Sequence, residues 1–186
     1  MKMFYLYTLF FKIHYMKSIF FSALFLLLIS FTAQSQAPVK TSTDTLVWYT
    51  SLGEAQQVSD ANHVPIFAFF TGSDWCGWCH KLQAAVFAKP AFVEWAKKNV
   101  VLLELDFPRR KKLAPELAQQ NMALQQAFKV AGYPTIWVFY VTPNETNTGV
   151  NLATLGSLGY PQGAEQGKEE VKFLKDADAV LANDKK

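Results

Sequence analysis

The feature that most restricts the fold of this chain is an uninterrupted apolar run, IFAFF, at residues 66–70. A short run of this kind without polar alternation is typical of a central strand that is covered on both faces. Gly72-Ser73-Asp74 ends the run and supplies residues that favour the start of a helix. The sequence therefore predicts a buried strand followed at once by a helix, which is typical of the α/β class.

Strand and helix patterns alternate along the rest of the chain. The predicted strands cover residues 46–49, 66–70, 100–106, 135–141 and 152–155. The predicted helices cover residues 51–61, 76–88, 90–99, 115–130 and 165–181. With the consecutive helices at 76–88 and 90–99 counted as one helical segment, the order β-α-β-α-β-α-β-β-α predicts a central mixed sheet with helices on both faces. The last two strands are joined by a turn, so we expect them to pair antiparallel at one edge.

The N-terminal segment has the pattern of a secretory signal peptide. An uncharged apolar run at 18–33 follows Met16-Lys17, and small polar residues come after it, with a cleavage site predicted after Ser35. We therefore expect a signal peptide at 1–35, a linker at 36–44 and one domain at 45–186. Met16 has its own basic start and is an alternative to Met1 as the first translated residue. An uncleaved membrane anchor is the other alternative, although the run is shorter than the ~20 residues that span a bilayer.

The charge balance gives no sign of a nucleic-acid partner. The whole chain has 18 basic and 15 acidic residues, and segment 1–35 contributes Lys2, Lys12 and Lys17 but no acid. Cleavage would therefore leave a domain with no formal net charge. The basic run at 109–112 is local, and we interpret it as a solvated loop.

Cys76 and Cys79 are the only cysteines, and they open the helix predicted after the buried strand. Residues three apart on a helix lie ~5–6 Å from each other, which is within reach of a disulfide. A disulfide between them would close a very small loop and stabilise the fold little, so the pair indicates chemistry or ligand binding. A helix N-terminus favours the thiolate form that attacks disulfides, which predicts a dithiol redox centre.

Two other chemistries compete for the same residues. The motif WCGWCH also fits covalent haem attachment, with His80 as one axial ligand and His63 or Met122 as the other. A zinc site would have to use Cys76, Cys79 and His80 without a second knuckle. The strand–motif–helix order favours the redox interpretation.

The motif and its context resemble the thioredoxin superfamily. WCGWC follows a buried strand, GYPTIWVFY occurs at 132–140, and the similarity extends over most of 45–182. GSDWCGWCHKL and LLELDFPR resemble secreted bacterial thioredoxin-like proteins, and GYPTI resembles a stretch of protein disulfide isomerases. The resemblance implies a thioredoxin fold and an exported, periplasmic thiol–disulfide oxidoreductase.

The resemblance also implies roles for single residues. Cys76 would attack a substrate disulfide, Cys79 would resolve the mixed disulfide, and the two would alternate with a redox-active disulfide. Pro134 would follow a cis peptide bond, and Tyr133 would offer backbone hydrogen bonds to a substrate segment. The substrates would be proteins that carry disulfides or thiols, and a further redox protein, membrane-bound or not, would regenerate the pair. Neither a bound cofactor nor a metal is implied.

The remaining site predictions concern the surroundings of the pair. The resemblance implies a substrate groove, with Tyr160 beside it, that is bordered by Trp75, Gly77, Trp78, Tyr133, Pro134 and Gly159. His80 and Asp74 are expected to modulate the cysteines, since His80 follows Cys79 directly and lies one helical turn after Cys76.

The sequence departs from thioredoxin at three points. Thioredoxin carries a buried acid in the strand before the motif, where this chain has IFAFF. The matching lysine falls near Leu102, and the nearest acid is Glu104, whose face of the strand the sequence leaves open. Trp78 stands where thioredoxin has proline.

A binding or chaperone module without redox turnover is the alternative function.

Overall fold

The structure is a computed structural model that describes residues 46–144, 146 and 149–185. The predicted signal peptide, its cleavage site and the linker lie outside these residues. Among the helices of the described part, none is both long and apolar enough to cross a bilayer.

A five-stranded mixed sheet forms the centre of the domain. The strands are β1 (Trp48–Tyr49), β2 (Ile66–Thr71), β3 (Val101–Asp106), β4 (Thr135–Pro143) and β5 (Val150–Leu158). Their spatial order is β1-β3-β2-β4-β5. The first three strands are mutually parallel, whereas β4 is antiparallel to β2 and to β5. The mixed sheet and the antiparallel edge confirm the predicted fold class.

Helices cover both faces of this sheet. They are α1 (Leu52–Asn62), α2 (Gly77–Leu82), α3 (Pro90–Asn99), α4 (Pro115–Ala127) and α5 (Glu169–Leu181). A π-helical turn, Gln83–Phe87, continues α2, and a 3-10 turn, Ala182–Lys185, follows α5. α1 and α4 pack on one face, whereas α2, α3 and α5 pack on the other.

All six residues of β2 are buried, and the side chains of the first five enter the two hydrophobic cores in turn. Phe67 and Phe69 enter the core that also contains Cys76 and Cys79, which we call the cysteine-side core. Ile66, Ala68 and Phe70 enter the opposite core. The apolar run at 66–70 therefore forms the central strand of the sheet, as predicted.

The π turn is the main departure from the predicted elements. One regular helix was expected over 76–88, but α2 ends at Leu82 and the backbone N–H of Ala88 donates to the Gln83 carbonyl. The wider turn allows Val86 and Phe87, which are adjacent in sequence, both to be buried. The other differences are at the ends of elements: β1 is two residues long, β4 extends to Pro143, β5 extends over Val150–Leu158, α4 ends at Ala127 and α5 begins at Glu169.

Candidate active site

The two cysteines form a disulfide at the start of α2. Cys76 is the N-cap residue, its Cα lies 5.3 Å from that of Cys79, and its sulfur accepts a hydrogen bond from the Cys79 backbone N–H at 3.2 Å. Cys79 is completely buried, whereas Cys76 retains 5% exposure. The Cys79 N–H that contacts Cys76 Sγ is suited to stabilise a thiolate at that sulfur after reduction.

A cis peptide bond joins Tyr133 to Pro134, as the resemblance implied. Thr135, the next residue, pairs with Phe70 near the C-terminal end of β2. Pro134 therefore lies at the end of the sheet from which the cysteine motif emerges. Gly159 lies next to it, since a Cβ added there would be 3.7 Å from the Pro134 carbonyl oxygen. The sequence-predicted residues Pro134 and Gly159 are therefore brought together.

Trp75 is fixed on the other side of the motif. Its indole N–H donates to the Phe107 carbonyl at 2.8 Å, and its ring meets Tyr133 edge-on at 5.7 Å between centroids. A Cβ at Gly72 would overlap the indole ring, so only glycine leaves room for this arrangement. The Tyr133 hydroxyl accepts a hydrogen bond from Gln125 Nε2 at 2.6 Å, and burial raises the pKa of that hydroxyl.

Trp78 is the exposed aromatic side chain of the motif. It is 52% exposed and meets Tyr160 edge-on at 5.0 Å between ring centroids. The Lys81 ammonium lies 4.9 Å from the centre of the Trp78 ring and 5.1 Å from that of Tyr160. Trp78, Lys81 and Tyr160 thus form a cationic and aromatic border beside the disulfide. The sequence did not single out Lys81.

Asp74 binds the backbone of the segment that was interpreted as a solvated loop. Its carboxylate accepts the backbone N–H groups of Arg109 at 2.9 Å and Arg110 at 2.7 Å. These hydrogen bonds, that from Arg109 above all, lower the pKa of Asp74. The Arg109 guanidinium lies 3.8 Å from the centre of the Trp75 ring. The four basic side chains are exposed, which confirms the predicted solvated loop, and the backbone of the run is in addition bound to Asp74.

Asp106 is a site residue that the sequence analysis missed. It is 8% exposed at the end of β3, and it accepts hydrogen bonds from the Ser73 backbone N–H at 2.8 Å and from the Ser73 hydroxyl at 2.6 Å. Lys111 forms an ion pair with it at 3.0 Å, and Asn121 donates to its backbone carbonyl at 2.9 Å. Asp106 therefore joins the turn before the cysteines to the basic run. The sequence did contain a signal for this residue, because Asp106 is an acid at the end of a buried strand, just before a basic run.

His80 makes a side-chain hydrogen bond, whereas Gly77 lies beside open space. Nε2 of His80 lies 2.9 Å from the Ser73 carbonyl oxygen and donates to it, so this ring nitrogen carries a proton. His80 is exposed and braces the turn before the motif. No atom lies within 4 Å of a Cβ built at Gly77, which leaves open space beside the disulfide.

The structure settles the face of Glu104 that the sequence left open. Glu104 pairs with Phe69 of β2, and it lies two residues after Leu102, which packs in the cysteine-side core. Alternation along β3 therefore places Glu104 on the same side of the sheet as the cysteines. Burial is the main cause that raises the pKa of its carboxyl, with repulsion from Asp106 second, while Lys111 opposes both.

Replacing Glu104 with glutamine is expected to stabilise the domain at neutral pH. The pKa of Glu104 is higher in the folded than in the unfolded chain, so ionisation costs folding free energy. Below the unfolded pKa of about 4.3 both states are protonated, and the advantage of glutamine should vanish. It should grow as the pH rises through the folded pKa. Urea unfolding of both proteins across this range measures the difference, and an advantage that is constant with pH would contradict the prediction.

The geometry of the site agrees with a comparison against protein families. A family model described as a thioredoxin-like domain matches residues 52–146, about half of the chain. The chain belongs to this family. The five-stranded sheet and its flanking helices are those of a thioredoxin fold, and the predicted family is confirmed.

Two curated relatives of this thioredoxin-like chain come from Chlamydia pneumoniae. The disulfide bond reductase DsbH is 38% identical over 88 residues, which are 47% of this chain and 53% of that protein. The thioredoxin-related protein DsbJ is 26% identical over 146 residues, 78% of this chain and 40% of that protein. The chain thus spans about half or less of the length of these relatives. A solved structure of a DsbH oxidoreductase superimposes with a TM-score of 0.62 at 28% identity, covering 81% of this chain and 92% of that one.

Proposed function

We propose that this chain is an exported thiol–disulfide oxidoreductase that acts on proteins through Cys76 and Cys79. The observation that carries the proposal is the disulfide at the start of α2, which joins Cys76, with 5% of its surface exposed, to a completely buried Cys79. This asymmetry allows one sulfur to meet a substrate while the other stays shielded. The names of the relatives, a disulfide bond reductase and a thioredoxin-related protein, support the same chemistry.

In the reducing direction, the Cys76 thiolate would attack one sulfur of a substrate disulfide. The Cys76–substrate bond forms, the substrate S–S bond breaks, and the second substrate sulfur leaves as a thiolate. The Cys79 thiolate would then attack Cys76 Sγ, which forms the Cys76–Cys79 disulfide and releases the first substrate sulfur. Two electrons pass to the substrate, and its thiolates take up protons from water. The pair must then be reduced by a separate redox protein.

The surroundings of the pair support the assignment of a protein substrate. The cis bond before Pro134 and the adjacent Gly159 lie at the end of the sheet from which the cysteine motif emerges, and Trp78, inside the motif, has an exposed ring. The open space beside Gly77 suits an extended polypeptide better than a small enclosed ligand. We assign the role of nucleophile to Cys76, that of resolving residue to Cys79, and the substrate groove to Trp75, Gly77, Trp78, Tyr133, Pro134 and Gly159.

The proposal includes export. The signal-peptide pattern at 1–35 supports it, together with the linker at 36–44 and the domain from 45 onward. The bacterial periplasm is the proposed location, and a membrane-bound reductant is a suitable regenerating partner. The mass of the protein recovered from an expressing bacterium tests this: cleavage after Ser35 is expected, and a retained N-terminus would indicate an anchor.

The midpoint potential of the Cys76/Cys79 couple tests the activity and its direction. Thiol trapping in glutathione buffers should give a value near about −270 mV, as for thioredoxin, if the chain is a reductase. A value near about −120 mV would instead indicate an oxidase. A pair that does not exchange with glutathione at all would contradict the proposal and favour the binding module.

The haem interpretation of WCGWCH gains no support from the fold. His63 follows α1 and Met122 lies on α4, and both helices pack on the face of the sheet opposite α2. His80 uses Nε2 to hold the Ser73 carbonyl. Within the part of the chain that the structure describes, no three His, Cys, Asp or Glu side chains converge as a metal site requires.

A further inference from the structure

The segment Phe107–Lys112, which we call the basic loop, is attached to the cysteine motif along its length. Its first residue donates a backbone N–H to the Thr71 carbonyl at 2.8 Å and accepts the Trp75 indole N–H. Its middle is held by the hydrogen bonds from Arg109 and Arg110 to Asp74, and its end by the ion pair of Lys111 with Asp106. The loop is therefore fixed relative to the disulfide.

The charge that the basic loop brings to the site is not balanced by the acids that hold it. Arg109, Arg110, Lys111 and Lys112 are all exposed, and the carboxylates that the loop contacts are those of Asp74 and Asp106. Both carboxylates accept hydrogen bonds from backbone N–H groups, and their two formal negative charges stand against the four formal positive charges of the loop. Lys81 adds a further cation on α2, over the rings of Trp78 and Tyr160.

This positive surface contrasts with the domain as a whole. Without segment 1–35 the chain has equal numbers of basic and acidic residues, so the excess at the site is a local concentration and not a property of the whole surface. A local field of one sign attracts oppositely charged partners and raises their association rate.

Resting on the proposed function, we infer that the disulfides this chain exchanges are flanked by acidic side chains, which the basic loop and Lys81 attract. The aromatic edges of Trp78 and Tyr160 would contact the apolar part of the same segment. The basic loop is then a specificity determinant on the surface next to Cys76. Cys76 and Cys79 still carry out the exchange with the substrate disulfide and pass two electrons to it.

Reduction of matched peptides tests this inference. The substrates are disulfide-cyclised peptides of one sequence whose cysteines are flanked by aspartates, asparagines or lysines. The rate constant for reduction by the reduced protein should be about tenfold higher for the aspartate than for the asparagine peptide at low salt, and lowest for the lysine peptide. The differences should shrink as the ionic strength approaches about 0.3 M, because salt screens exposed charges.

Charge-reversal variants locate the effect. Arg110→Glu should remove most of the preference for aspartate, and Lys112→Glu gives a second variant farther from Asp74 in sequence. Lys98→Glu is the matched control, since this exposed residue lies on α3 beside a cavity lined by Pro65, at the opposite end of β2 from the cysteines. The control should keep the full preference.

A small uncharged disulfide, 2-hydroxyethyl disulfide, separates substrate attraction from the reactivity of Cys76. All variants should reduce it at the wild-type rate. Equal rates for the aspartate and asparagine peptides would overturn the inference while leaving the proposed function intact. The inference would also be overturned if Arg110→Glu lowered the rate of reduction of 2-hydroxyethyl disulfide as much as that of the aspartate peptide. The loop would then act on the Cys76 thiolate and not on the substrate. Failure to reduce any of these disulfides would overturn the proposed function, and this inference with it.

Discussion

Cys76→Ser is expected to reduce disulfide exchange to the uncatalysed background, whereas Cys79→Ser should stop turnover but trap the substrate. The difference follows from the position of each sulfur. Cys76 caps α2 and retains contact with solvent, so a serine there leaves no thiolate to attack. Cys79 is completely buried, so its loss leaves the attacking sulfur in place and removes the group that releases the substrate.

Mass spectrometry of each variant after incubation with an oxidised substrate measures the outcome. The Cys79→Ser protein should gain the mass of one substrate chain and lose it on treatment with a small thiol, and the Cys76→Ser protein should gain nothing. Met122→Gln, an exposed change on α4, serves as the control and should turn over normally. If Cys76→Ser trapped substrate and Cys79→Ser did not, the two roles would be reversed. If the double variant kept full function in cells, the binding module would be the better proposal.

The strand and helix pattern was predictable because local rules determine it. The run at 66–70 is typical of a covered strand, and Pro90 begins α3 at the first helical position, where a proline ring is tolerated. The spacing of Cys76 and Cys79 likewise places them within reach of a disulfide. These features depend on residues that are close together in the sequence.

The rest of the site depends on partners that are far apart in the chain. The face of Glu104 required the register of β3 against β2, because a shift of one residue would turn it to the other core. The basic run looked like an ordinary charged loop, and only its contacts with Asp74, more than thirty residues earlier, show that it is fixed to the motif. Trp78 replaces a thioredoxin proline, and its place against Tyr160 likewise required the folded chain.

The aromatic core beneath the cysteine helix is expected to dominate the stability of the domain. Phe87, in the π turn, is 7% exposed, and its ring centroid lies 4.7 Å from that of Phe92 and 5.1 Å from that of Phe69. Phe87→Ala should lower the free energy of unfolding by about 3–5 kcal/mol, because it removes these contacts and leaves a cavity. Phe87→Leu should cost less than about 1.5 kcal/mol, since most of the volume is kept.

Urea unfolding separates this effect from a general sensitivity of the turn. Ala84→Ser, an exposed change in the same π turn, should move the midpoint little, and an unchanged m-value in each variant would show that only stability has changed. A loss for Phe87→Ala no larger than that for Ala84→Ser would show that the ring is not what holds the turn. A large loss would instead mean that Phe87 fastens the C-terminal end of the cysteine helix to the sheet. The π turn follows the C-terminal end of the helix that Cys76 caps. Its wider geometry would then be what allows residues 86 and 87, which are adjacent in sequence, both to reach the core.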